Sequence, residues 1–483
     1  MQFDDKKRQL VQNCFQKNIL VDPKFLGNLS EEGLDSVYSF ISKNNKVKVL
    51  NEDFFKTLNK TKVNSKGNVE VLFCYDWESK KITEKDFISY FNVRYNAISR
   101  LLKNRPDMQN LLPISRIISK KEKEKISVIG IVMEKRVTKN NNIILTIEDN
   151  TGKLNVIITK SKKDVYNIAA DVTEDEVIGI VGTNSDKIIF VDNIIYPDIP
   201  NDYELKKSPE EGYAVFISDI HIGLNKFVSD RFIHFIEWLN GRVGSEEQKR
   251  VAKKVKYLFI VGDLVEGVGI YPNQEYELSI KDIYNQYEEC ARLLSNVPPH
   301  ISIIICPGNH DAMRIAEPQP PLYKDFAKPL YELENITLVS NPALIRIDRT
   351  ENFEGIKVLM YHGFSFPYYA DKVESIRVAG GMDRSDLIMK YLLQRRHMAP
   401  THISNLSIPD PKKDPLVIDV VPDLFVSGHI HKISCSNYKN VTMINCSCWV
   451  TQTDFQAKMG IIPETARVPV VDLKTRKVKV IKF

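Results

Sequence analysis

The chain has 483 residues, 43% of them hydrophobic and 27% charged, which describes an ordinary globular protein and excludes a disordered one. That length exceeds what one hydrophobic core serves, so two or three domains are expected. A net charge of +5 permits a nucleic-acid partner without requiring one, because basic patches matter more than totals.

In residues 1–45, Leu10, Val11, Cys14, Phe15 and Ile19 share one helical face, and Leu34, Val37, Tyr38 and Ile41 share another. This predicts a small helical N-terminal domain, with a helix start at Ser30 followed by Glu31 and Glu32. The segment 46–120 reads as a linker and a helical stretch, the polar run from Ser42 to Lys66 supplying the linker. Thr83 caps the next helix with Asp86 three residues on. There Phe87, Phe91, Tyr95, Ile98 and Leu102 recur at spacings of four, four, three and four, a stripe expected to pack on a core. Pro106 ends it, and the mixed-sign run Lys120 to Lys125 reads as a solvated connector.

Strand periodicity takes over in residues 121–200. Runs at Val128 to Val137, Ile143 to Glu148 and Leu154 to Thr159 precede a short helix from Lys162 to Ala170. Strands at Glu176 to Val181 and Lys187 to Ile195 follow, the order of an OB-fold barrel. Such barrels often bind single-stranded nucleic acid, yet these strands are not rich in aromatics, so a scaffold role is as good a reading.

Residues 201–483 alternate continuous apolar strands with amphipathic helices such as Phe232 to Leu239 and Tyr284 to Leu294. That pattern predicts an α/β sandwich with its chemistry at strand ends. The strands expected at Ala214 to Ser218, Tyr257 to Val261, Ile301 to Cys306, Lys357 to Tyr361 and Leu424 to Ser427 each run into a polar motif. These are Asp219-Ile220-His221, Gly262-Asp263, Gly308-Asn309-His310-Asp311, His362-Gly363 and Gly428-His429-Ile430-His431. All are expected on one edge of a sheet. Seven cysteines scattered through the chain argue against a disulfide framework, and Cys446 and Cys448 read as buried structural residues. No apolar run spans a bilayer and no signal-peptide layout opens the chain, so a cytoplasmic location without a membrane partner is expected.

Phosphodiester hydrolysis must neutralise an anionic phosphate and supply a nucleophile at neutral pH, which two divalent cations about 3.5–4 Å apart accomplish. The motifs hold the needed ligands: Asp263 as bridge, Asp219, His221 and His431 for one cation, and Asn309, His362 and His429 for the other. His310 is left to face the substrate, where as an imidazolium it stabilises the transition state or protonates the leaving oxygen, with Asp311 expected to orient it. A lone Asp-x-His or Gly-His-x-His arises by chance in many proteins. Five such motifs in order, taking in five of the nine histidines, do not; His234, His300, His397 and His402 read as surface or structural.

These motifs resemble those of the calcineurin-type metallophosphoesterases at every position. Within that superfamily, Gly262 to Pro272, Arg395 to Pro400 and Trp449 to Gln456 resemble the small subunits of family-D DNA polymerases. The resemblance implies a 3′→5′ proofreading exonuclease acting on DNA 3′ ends with two metal ions, manganese foremost and iron or zinc as alternatives. It implies a separate large catalytic subunit as partner, with a sliding clamp or primase as further partners. Arg314, Lys372, Arg377 and Arg384 are candidates for phosphate contacts. A general metallophosphatase and a non-catalytic polymerase scaffold are the competing readings.

Overall fold

The computed structural model describes residues 2–17, 19–28, 37, 49–50, 65–66, 68–76, 81–458 and 460–483. The chain forms two compact units, Met1–Glu70 and Val71–Phe483.

In the first unit, helix α1 (Gln2–Gln16) buries Leu10 and Cys14. Val11 and Phe15, one residue further round the helix by about 100°, are exposed, Phe15 by 82%. The apolar face is therefore narrower than the sequence suggested. Leu20–Val21 pairs in parallel with Val49–Leu50. Of the second predicted face only Val37 is described, and it is buried; Ser30, Glu31, Glu32, Leu34, Tyr38 and Ile41, and most of the Ser42 to Lys66 run, lie outside the described residues.

The second unit begins with strand β1 (Val69–Cys74), which crosses the division, and helix α2 (Glu84–Lys103). The Thr83 N–H and hydroxyl both donate to Asp86 Oδ2 at 2.8 Å, closing the start of α2. Its deepest residues are Tyr90, Arg94, Ile98 and Leu102, while Phe87 lies at the margin against the His402 ring. The face is shifted because a cation sits in it. Arg94 is buried with its Nε 2.7 Å from Asp414 and its Nη1 2.7 Å from the Pro400 carbonyl.

Five strands then close a barrel: β2 (Lys125–Val137), β3 (Ile143–Asp149), β4 (Gly152–Ile158), β5 (Val177–Ser185) and β6 (Ile188–Ile195), with helix α3 (Lys163–Ala170) between β4 and β5. The order around the barrel is β2-β3-β4-β6-β5, and β5 pairs antiparallel with β2 to close it. Alternating residues such as Leu145, Ile147, Val156 and Ile158 fill the interior.

Beyond the barrel stand two sheets. The first runs β10-β9-β8-β7-β16-β17. Its central strands β7 (Tyr213–Ile217), β8 (Val255–Val261) and β9 (Ser302–Cys306) are parallel, joined by crossovers carrying helices α4 (Ser229–Leu239) and α5 (Ile283–Leu294). Its outer strands are β10 (Ile336–Leu338), β16 (Arg467–Asp472) and β17 (Val478–Lys482). The helices press Phe232, Phe235, Trp238 and Tyr287 onto this sheet, with Trp449 among them.

Within this unit the second sheet runs β14-β15-β13-β12-β11-β1. It contains β11 (Ala343–Ile347), β12 (Ile356–Met360), β13 (Leu424–Ser427), β14 (Ser434–Tyr438) and β15 (Val441–Asn445). Helix α6 (Ser385–Arg395) packs Ile388, Tyr391 and Leu392 into its core with Tyr369. The five motif-bearing strands are thus divided, three in one sheet and two in the other. This corrects the expectation of a single sheet edge: β11 pairs antiparallel with β12 and opens a second sheet instead of extending the first.

A buried polar joint ties barrel to sheets. Arg395 stacks over Tyr391 at 3.4 Å and Tyr196 at 4.1 Å, with its Nε 3.3 Å from Glu176. Arg396 donates to the Ile418 and Asp419 carbonyls. His397 Nε2 lies 2.9 Å from Asp414, the same carboxylate that meets Arg94, so this histidine is structural. All seven cysteines are free, and Cys446 and Cys448 are buried. No helix among the described residues is long and apolar enough to cross a membrane.

Candidate metal centre

Parallel strands aim their carboxyl ends the same way, so β7, β8 and β9 deliver three motifs side by side and β12 and β13 deliver two more. The structure gathers the expected residues into two groups. Asp219, His221 and His431 have ligand atoms within 4.8 Å of one another, and so do Asp263, His362 and His429. Asp263 reaches both: its Oδ2 is 3.2 Å from His362 Nε2 and 3.8 Å from His221 Nε2. Asn309 Oδ1 joins the second group 3.1 Å from His362 Nε2.

The backbone is bent to achieve this. Asp219, His221, Asp263, His429 and His431 all have positive φ, between 52° and 71°. Residues with a Cβ rarely hold that region, and its concentration at one place marks a site held in shape by its surroundings. Space is tight as well. A Cβ on Gly308 would collide with the Asp263 carboxylate and N–H, and one on Gly428 with Ser218 and Asp219.

The rings are fixed by atoms behind them. His221 Nδ1–H donates to Glu266 Oε2 at 2.8 Å, and His362 Nδ1–H donates to the Val261 carbonyl at 2.8 Å. Once each ring is neutral with its proton on Nδ1, its Nε2 lone pair faces inward, the arrangement typical of metal-bound imidazoles. His431 Nδ1 lies 2.8 Å from the Gln456 amide. The Nε2 atoms of His221 and His431 are 3.2 Å apart, a hydrogen bond when one of them carries a proton and a separation that lets both face one cation when neither does. The donor set therefore fits two hard or borderline cations bound by mixed oxygen and nitrogen ligands.

Electrostatics agree. Burial disfavours charge on His362, but Asp263 and Asp219 outweigh it and lift the ring to about 10. Burial also opposes ionisation of Asp263, and the surrounding imidazoles hold it well below the carboxylate range. His429 is driven down to about 3 by burial and then by His362, which keeps its ring neutral.

His310 stands at the mouth, one-fifth exposed, its ring centroid 4.8 Å from that of His221. Asp311 does not orient it. That carboxylate turns inward, accepting from the N–H groups of Gly308 at 2.8 Å and Leu264 at 3.2 Å, because consecutive residues of this turn face opposite ways. Burial, reinforced by Asp263, raises Asp311 to about 7. The group behind His310 is Glu266: its carbonyl accepts from His310 Nδ1–H at 3.0 Å and its Oε2 lies 3.5 Å away. Sequence reasoning missed Glu266 and Gln456, although both fall in the stretches that carry the family resemblance. The only signal for Glu266 is a carboxylate three residues after Asp263.

The basic candidates are tied elsewhere. Arg314 donates to the Pro318 carbonyl and lies over the Tyr75 ring, and Arg377 donates to the Asp371 carbonyl. Arg384 forks onto Asp386, and Lys372 pairs with Asp371 at 3.1 Å. None of the four shows a tie to the two groups.

Comparison with known proteins accords with this layout. The DNA polymerase alpha/epsilon B-subunit family matches residues 214–435, which hold every motif of the centre. The chain is 37% identical over 432 residues to the DNA polymerase II small subunit of Methanothermobacter thermautotrophicus, covering 87% of this chain and 86% of that one. It is 40% identical over 408 residues to that of Pyrococcus furiosus and 41% identical over 393 residues to that of Methanocaldococcus jannaschii. Those alignments cover 83% and 81% of this chain but 64% of each relative, so the chain spans just under two thirds of those longer proteins. At such identity across most of its length, the chain belongs to the family of archaeal DNA polymerase II small subunits.

Proposed function

We propose that this chain is the 3′→5′ proofreading exonuclease of a two-subunit replicative DNA polymerase, hydrolysing phosphodiesters at DNA 3′ ends. The observation that carries this reading is the pair of inward-facing imidazoles, His221 and His362, each with Nδ1 tied to an acceptor behind it and Asp263 between them. Asp219, His221 and His431 would hold one divalent cation, and Asn309, His362 and His429 the other, with Asp263 shared. When bound, such ions lower the pKa of water and neutralise phosphate charge. Manganese is the expected metal, with iron and zinc as alternatives.

The remaining work falls to the chain's own groups. His310 keeps Nδ1 engaged with the Glu266 carbonyl, which leaves Nε2 to face the substrate. From there it donates a proton to the leaving 3′-oxygen and then regains one from solvent. Glu266 holds His221 and His310 in register through its side chain and its backbone. Asp311 shapes the Gly308 turn that carries Asn309.

Polymerisation belongs to a separate large subunit, in keeping with the relatives' description as small subunits. A sliding clamp or a primase is a further partner under this reading, and the barrel is a scaffold for such contacts. The test is degradation of a 5′-labelled DNA primer with a mispaired 3′ end, in Mn²⁺, by wild type and by His310→Ala. Stepwise shortening that is lost in the variant is the expected result. If neither protein shortens the primer even with the large subunit present, the exonuclease reading fails and a phosphatase or scaffold takes its place.

A further inference from the structure

Two aromatic rings border the centre without belonging to either sheet's core. Phe364 follows the His362-Gly363 turn. Its ring centroid lies 5.6 Å from that of His429, nearly perpendicular at 75°. Tyr271 borders His310, the ring centroids 6.5 Å apart at 66°. Both are partly exposed, and neither is among the residues packed on the cores beneath the sheets. The contrast with Phe366, two residues beyond Phe364 and fully buried, shows that the chain turns one ring inward and leaves the other at the site. Tyr271 is anchored by its hydroxyl, whose single proton serves Glu266 Oε1 at 3.1 Å or Glu277 Oε2 at 3.3 Å, so its ring position is set.

Metal ligands alone would accept any accessible phosphodiester, because they contact only phosphate and water. A flat ring beside His429 and another beside His310 add what the ligands lack, a surface for a base. Aromatic stacking is indifferent to base identity but requires a base free of its partner strand. We infer that Phe364 and Tyr271 are stacking surfaces for unpaired bases at the 3′ end, and that they make the site select frayed or single-stranded ends over paired ones. This inference rests on the proposed nuclease function and assigns the residues by which it favours an unpaired end.

The experiment uses the full chain with its large subunit and two substrates, a single-stranded oligonucleotide and an abasic deoxyribose dinucleotide, a small diester that carries no aromatic ring to stack. Phe364→Leu keeps apolar bulk but removes the ring, and Phe364→Trp keeps a ring. At the second position, Tyr271→Leu is compared with Tyr271→Phe, which separates ring from hydroxyl. The ratio of kcat/KM for DNA over that for the small diester falls about tenfold in each leucine variant, mostly through KM, and stays near wild type in the aromatic ones. A merely structural role lowers both activities together and leaves the ratio alone. Independently, an oligonucleotide ending in 2-aminopurine, bound in EDTA, loses fluorescence on wild type and less on the leucine variants. Unchanged ratio and unchanged quenching in those variants overturn the inference. Hydrolysis of the small diester without cleavage of DNA would sink the nuclease reading, while the quenching would still decide on stacking.

Discussion

One carboxylate serves two rings: Glu266 Oε2 lies 2.8 Å from His221 Nδ1 and 3.5 Å from His310 Nδ1. Burial opposes its charge, but His221 overcomes that and keeps Glu266 ionised below its ordinary range. Replacing Glu266 with alanine removes the group that fixes His221, and loss of such a partner typically costs 10–100-fold in metal affinity. Titration of the variant with Mn²⁺, followed by electron paramagnetic resonance, should show weakening of about that size.

His310 and its neighbour should separate cleanly. Changing His310 to alanine removes the proposed acid while the ligands stay, so kcat falls by about 10²–10⁴ with metal binding retained. Asp311→Asn leaves His310 untouched, since the two side chains are not bonded, but replaces an oxygen that faces backbone N–H groups. Its main effect is lower thermal stability, read by calorimetry. A large loss of catalysis with Mn²⁺ affinity unchanged in a well-folded Asp311→Asn protein would contradict the assignment of Glu266 as the group behind His310.

Metal loading should release protons. With Asp263 beside it His362 sits at about 10, so at neutral pH the ring carries a proton that a cation must displace. Apparent Mn²⁺ affinity should therefore rise with pH between 6 and 8, by about tenfold per unit for each proton displaced. Calorimetric titration in buffers of different ionisation enthalpy counts those protons directly.

Arg94 and Asp414 form a buried pair 320 positions apart in the chain, at 2.7 Å. Burial raises the acid's pKa, but Arg94 and then His397 outweigh it and hold Asp414 below the usual carboxylate range. A depressed pKa contributes stability that is present above the unfolded value of about 3.9 and lost as pH falls through the folded one. Asp414→Asn leaves Arg94 uncompensated, so urea unfolding at pH 7 should show a loss of about 3–5 kcal/mol. The gap between wild type and variant should narrow only below about pH 4.

Gly308→Ala is a steric test of the same centre. The added methyl meets the Asp263 carboxylate, which must move away from both metal groups. Metal affinity and activity are expected to fall together, while far-ultraviolet circular dichroism stays near wild type.

Much of the site was legible because apolar strands ending in Asp, Asn and His are a local pattern. Asp219, His221, Asp263, Asn309, His362, His429 and His431 come together in the two groups expected of their strand ends. Partnerships across the chain were not legible. Gln456 lies 25 residues from His431, and nothing in that interval signals their contact. The cation inside the stripe of α2 shifted its buried face, since Arg94 reads as polar until Asp414 is placed beside it. The division of the strands between two sheets was hidden for a similar reason. A strand's neighbours depend on pairing across the chain, and β12 reads like β9 until β11 is seen beside it.

That division has a mechanical consequence. Asp219 and Asp263 follow strands of one sheet, His362, His429 and His431 strands of the other, and each group draws from both. Any cation bound there is a rivet between two plates, resisting shear as well as serving chemistry. Cation binding would then raise unfolding resistance, by about 2.7 kcal/mol at a hundredfold excess over the dissociation constant of each independent site. Conversely, a partner that slid one plate along the other would loosen both ions at once, a brake on hydrolysis requiring no contact with the substrate.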